Sequence, residues 1–156
     1  MEAQSERTPV GGSPVQVTAL VLGLVFLVVG VLGFIPGVTR NYNLLAFAGH
    51  ESGPALFGTF TVSVLHNIVH LIFGIAGVAM SRTHAAATTY LVGGGGIYLA
   101  LWIYGLIVDE HSTANFVPVN TAGNWLHFGL GAGMVALGLV LGRIGVAHGA
   151  FRPRHT

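Results

Sequence analysis

The sequence predicts an all-α polytopic membrane protein, with four transmembrane helices and both termini in the cytoplasm. Three observations carry that prediction. The chain is 53% hydrophobic and only 7% charged, against roughly 25% charged residues in ordinary soluble domains. Four apolar stretches each reach the ~20 residues that a helix needs to cross ~30 Å of hydrocarbon. The arginines supply every fixed positive charge in a chain without lysine, and they gather on one side of those stretches.

The first stretch covers about 15–35. It exceeds the roughly 7–15 residues of a signal-peptide core, and no small-residue cleavage site follows Phe34-Ile35-Pro36-Gly37. It reads as a retained helix. The second covers about 55–80, the third 86–108 and the fourth 121–141. At such lengths only helices suit a bilayer, because each backbone group must be satisfied within its own segment. Arg7, Arg82, Arg143, Arg152 and Arg154 lie at one set of ends, and Arg40 lies at the other. The positive-inside rule puts the larger set in the cytoplasm. Residues 1–14 are expected to be a disordered cytoplasmic tail, 15–143 the transmembrane domain and 144–156 a second cytoplasmic tail. The outer loops, 36–54 and 109–120, hold Arg40, His50, Glu51, Asp109, Glu110 and His111, which read as solvated.

Composition also excludes chemistry. With no cysteine, disulfides, thiolate metal sites, iron–sulfur clusters and cysteine nucleophiles are ruled out. A formal charge of +1 offers no basic surface for nucleic acid. All five acidic residues lie outside the spans, whereas carriers usually place a carboxylate or a broken helix at the midplane.

The polar exception is a repeated phrase. Asn67-Ile68-Val69-His70 is followed by Gly74, and Asn124-Trp125-Leu126-His127 by Gly131, at the same spacing. Polar groups are costly in hydrocarbon and face a bundle interior, a cavity or a partner. Thr59, Ser63, His66, Asn67, His70, Gly74 and Gly77 recur at steps that share one helix face. Asn120, Asn124, His127, Gly131, Gly138 and Gly142 do likewise on the fourth span. Small residues let helix backbones approach, and Asn or His bonds across the seam. The sequence therefore predicts a polar seam between spans two and four, with Gly74, Gly77, Gly131 and Gly138 packing the cytoplasmic half. A duplicated hairpin would explain the repeat, with a pseudo-two-fold axis along the membrane normal. Spans one and three match poorly beyond scattered glycines.

Two cofactor readings use the same residues. His66 and His70 share a face, and His127 could add a third imidazole around a zinc, copper or iron ion. No carboxylate lies nearby to orient them. Alternatively, His70 and His127 could be axial ligands of haem b. Against both stands simple helix packing by the His/Asn seam, with no cofactor and no catalytic residue. Gly93-Gly94-Gly95-Gly96 lacks the strand and Lys-Ser/Thr of a phosphate loop, and reads as close packing. Tyr98 lies deep enough to donate to His66 or Asn67, while Trp102 and Tyr104 suit the outer interfacial belt. His84, His148 and His155 need no special role.

The run Phe57-Gly58-Thr59-Phe60-Thr61-Val62 into Val64-Leu65-His66-Asn67-Ile68-Val69-His70-Leu71, with Gly74 and Gly77, resembles an actinobacterial membrane family, domain of unknown function 4383 (DUF4383). Asn124-Trp125-Leu126-His127-Phe128-Gly129-Leu130-Gly131 resembles that family's last span. The resemblance covers about 15–143 and implies a four-helix integral membrane protein. It supplies no substrate or cofactor. The expected function is a non-enzymatic structural or accessory component of the bacterial cytoplasmic membrane. Its expected partners are the lipid bilayer, further copies of itself and other membrane subunits. A haem- or metal-binding redox protein is the alternative.

Overall fold

The computed structural model describes residues 12–49 and 53–149, with the backbone alone for 145–149. Four helices dominate: α1 (Pro14–Leu32), α2 (Val64–Met80), α3 (His84–Ile107) and α4 (Thr121–Gly149). Three are long and apolar enough to cross a membrane, and α2 is a shorter apolar helix. Expectations for residues 1–11, His50, Glu51 and 150–156, with Arg7, Arg152, Arg154 and His155, lie outside the described residues, as does the side chain of His148. Within them, α1 already begins at Pro14, whose missing N–H suits a first helical position. The tail expected from 144 is helical to Gly149.

Span two differs most from expectation. Residues 55–63 are not helical. They form part of a three-stranded antiparallel sheet made by β1 (Thr39–Arg40), β2 (Ala55–Leu56) and β3 (Phe60–Thr61), in that order. The turn between β2 and β3 passes through Phe57 and Gly58, at φ 53° and 72°. A left-handed residue cannot continue an α-helix, and glycine is the residue that accepts that conformation freely. Ser63 then starts α2, its side chain accepting from the His66 N–H at 3.1 Å. Asn120 does the same for α4, accepting from Gly123 N–H at 2.9 Å. The apolar composition of 55–63 made the segment look like membrane span; strands and turn use the same residues to cover one end of the bundle.

The packing order also differs. α2 lies along α1 and α4 along α3, and the two hairpins meet chiefly through α1 and α3. The expected direct packing of α2 on α4 is not how the molecule is built. Glycine placement explains the outcome. A Cβ on Gly74 would come within 2.7 Å of Leu27 N and 2.8 Å of Gly23 O; one on Gly131 would meet Leu99 N and Gly95 O, each at 2.9 Å. Both backbones in each hairpin therefore approach through glycine. Gly77 likewise abuts Gly23, and Gly138 abuts Leu91 and Val92.

These contacts recur in register. Val15, Ala19, Gly23 and Phe26 of α1 and its capping residue Gly33 stand at one constant sequence step from Ala87, Leu91, Gly95, Tyr98 and Gly105 of α3. The pairs Val15/Ala87, Ala19/Leu91 and Phe26/Tyr98 are all buried in the same core, with Met134. So α1 and α3 are matched in contact, although their apolar identities differ too much to reveal it by eye. Of the four consecutive glycines, Gly94 and Gly95 face neighbours while Gly93 and Gly96 face open space, and α3 passes through them unbroken.

Candidate functional site

The histidines converge in the half of the bundle that the sheet covers. His66 and His70, one turn apart on α2, stack ring on ring with centroids 4.4 Å apart. The His127 ring of α4 lies 6.4 Å from that of His66. His70 Nδ1 donates to the His66 carbonyl at 3.0 Å. Two aromatic rings join the hairpins beside them. His70 meets Phe26 edge-on at 5.7 Å, His127 meets Tyr98 edge-on at 5.4 Å, and Phe26 stacks on Tyr98 at 5.4 Å. The arrangement is the same in each half. Tyr98 thus makes ring contacts rather than the expected hydrogen bond to His66 or Asn67.

The asparagines go elsewhere. A Cβ on Gly33 would overlap the Asn67 amide, and one on Gly105 would overlap the Asn124 amide. Each amide therefore occupies the space above a glycine of its own hairpin partner, α1 or α3. The sequence motif suggested that Asn and His act together across one seam; the structure separates them. Asn faces within its hairpin, and His faces the centre. Only the missing side chains of Gly33 and Gly105 could have signalled this, and a glycine near the end of a helix more commonly serves as its cap.

Several polar atoms are buried without a partner: His66 Nδ1, Asn67 Nδ2, Trp102 Nε1, Asn124 Oδ1 and His127 Nδ1. Most buried polar groups in folded proteins are paired, so such orphans mark places where a partner is wanted. Among the described residues, no group of three His, Cys, Asp or Glu side chains is disposed to hold a metal ion. Face-to-face stacking of His66 on His70 keeps their nitrogens from converging, and His70 Nδ1 is committed to its own helix. Two axial haem ligands must approach one iron from opposite faces of a flat macrocycle; His70 and His127 instead pack edge-on against Phe26 and Tyr98, which stack on each other.

Two cavities flank the histidines. One, of about 270 Å³, lies between α2 and α3 and is lined by His66, His70, His127, Phe73 and Tyr98 with Phe116 at its outer end. The other, of about 100 Å³, lies between α4 and α1 and touches His66, His70 and His127 from beneath the sheet. The repeat relates them. Val69, His70 and Phe73 line the first where Leu126, His127 and Leu130 line the second. His66 is replaced by Gly123 in that equivalence.

At the end of the bundle away from the sheet, His84 makes a clasp that the sequence did not announce. Its Nε2 donates to Gly142 O at 2.9 Å, leaving Nδ1 to accept from Ser13 Oγ at 3.1 Å. It ties the start of α1 to α4.

The model of a family described as domain of unknown function (DUF4383) matches residues 16–140. No curated protein and no solved structure matches the chain.

Proposed function

Because the chain belongs to the DUF4383 family, whose description carries no activity, its function must be read from the site, and we propose a small non-enzymatic membrane component built from two equivalent helical hairpins. It spans the bacterial cytoplasmic membrane four times with both termini inside, and acts as an accessory or self-associating subunit. The observation that supports this reading is the matched seating of Asn67 over Gly33 and Asn124 over Gly105. Each amide fills the space over a glycine of its own hairpin partner. Small residues let neighbouring helices approach closely, which suits a packing role.

The test is thermal unfolding of the full chain in mild detergent. Asn67→Ala and Asn124→Ala each lower the melting temperature by a similar, modest amount, and the double variant by about the sum. Strongly unequal effects would count against paired locks. A visible absorption spectrum with elemental analysis tests the redox alternative. A Soret band or stoichiometric metal that disappears in His70→Gln would replace the packing reading with a cofactor protein.

A further inference from the structure

The larger cavity has features that helix packing leaves unexplained. Its wall is almost wholly apolar, yet three imidazoles stand at it. A carbonyl oxygen only accepts, so the bond from His70 to His66 O fixes the hydrogen on Nδ1 and leaves Nε2 of the neutral ring as an acceptor. No donor among the described residues meets it. The rim is open and apolar, because Val69, Ile97 and Phe116 are exposed. A second apolar hollow of about 270 Å³ adjoins it along α3, sharing Ile97, Leu101, Phe116 and Val117 and running on to Tyr104.

Head and tail requirements follow. Ligand pockets usually measure roughly 300–1,000 Å³, so the cavity beside the histidines takes one ring and not a two-chain lipid headgroup or a macrocycle. Phe73, Tyr98 and Phe116 offer aromatic surfaces for a flat ring. His70 Nε2 can accept from a ring hydroxyl. The adjoining hollow would hold an apolar tail. The mate cavity is smaller and is covered by Leu56, Phe57 and Phe60, so it lacks the space.

We propose that the cavity between α2 and α3 binds the hydroxylated ring of a tailed quinol entering from the bilayer, with His70 Nε2 accepting from the ring hydroxyl. This goes beyond the packing reading, which rests on the asparagines. The test uses the full chain in lipid nanodiscs and a benzoquinol with one short prenyl tail, kept reduced. Its oxidised form and an alkyl alcohol of matched tail length are the comparisons. Thermal stability should rise with quinol concentration as expected for a ligand of the folded state. The half-effective concentration should be about tenfold lower than for either comparison. Ile97→Trp, which blocks the exposed rim, and His70→Phe should each abolish the response. If His70→Phe fails to fold, Ile97→Trp decides alone. Asn67→Ala should melt lower and keep the response, which separates the two readings. Equal responses to the alcohol, an unchanged response in Ile97→Trp, or no response to quinol overturns the proposal.

Discussion

At the scale of single residues, the decisive side chains are those that are missing. Gly33 and Gly105 leave the space that Asn67 and Asn124 fill. Gly33→Ala forces the amide to move in a tightly packed interior, where overpacking typically costs about 1–3 kcal/mol. In the Asn67→Ala background the same substitution meets no amide and costs less. A double-mutant cycle of thermal unfolding reads that coupling, and additive effects would show that the two residues do not touch. The candidate histidines and asparagines were legible in the sequence because a polar residue in an apolar run stands out. Their partners were not. Gly33, Gly105, Phe26 and Tyr98 are ordinary membrane-helix residues until their contacts are known, and His84 looked like a spare histidine until Ser13 and Gly142 were placed around it.

At the scale of elements, α1, α3 and α4 were readable within a few residues at most ends, since hydropathy and length together specify a spanning helix. The start of α2 was not, because strands β2 and β3 are as apolar as the helix they precede. Local signals mark the change: the left-handed pair Phe57 and Gly58, and the cap at Ser63. Ser63→Ala removes the acceptor for His66 N–H and should cost about 1 kcal/mol. The loss appears as a lower melting temperature and faster amide exchange confined to the first turn of α2. Uniform exchange along the helix would show that the cap does not hold that end. Helix pairing was hidden for a different reason. A polar stripe announces that a face is buried, but not against which neighbour, and the glycines of α1 and α3 brought each hairpin together instead.

At the scale of the whole molecule, the matched contacts make two hairpins of similar construction joined through α1 and α3. The repeat on α2 and α4 was visible as words; that on α1 and α3 survives as shape. Orientation can be tested directly, because the chain contains no cysteine. Single variants Ser112→Cys and Arg82→Cys place one thiol in the second outer loop and one in the turn between α2 and α3. In intact cells a membrane-impermeant maleimide should label the first and spare the second until the membrane is opened. The reverse pattern would invert the predicted topology.

The exchange of helix for sheet at the head of α2 reaches beyond the fold. At 1.5 Å per residue, the 17 residues of α2 rise about 25 Å, while the 24 residues of α3 rise about 36 Å. Ile72 and Ile75 point outward from the shorter helix. Lipid along α2 would therefore meet a lower apolar wall than lipid along α3. Hydrophobic mismatch is relieved by tilting the protein or thinning the bilayer. Set in a bilayer, a single small bundle with unequal walls would tilt toward its shorter helix.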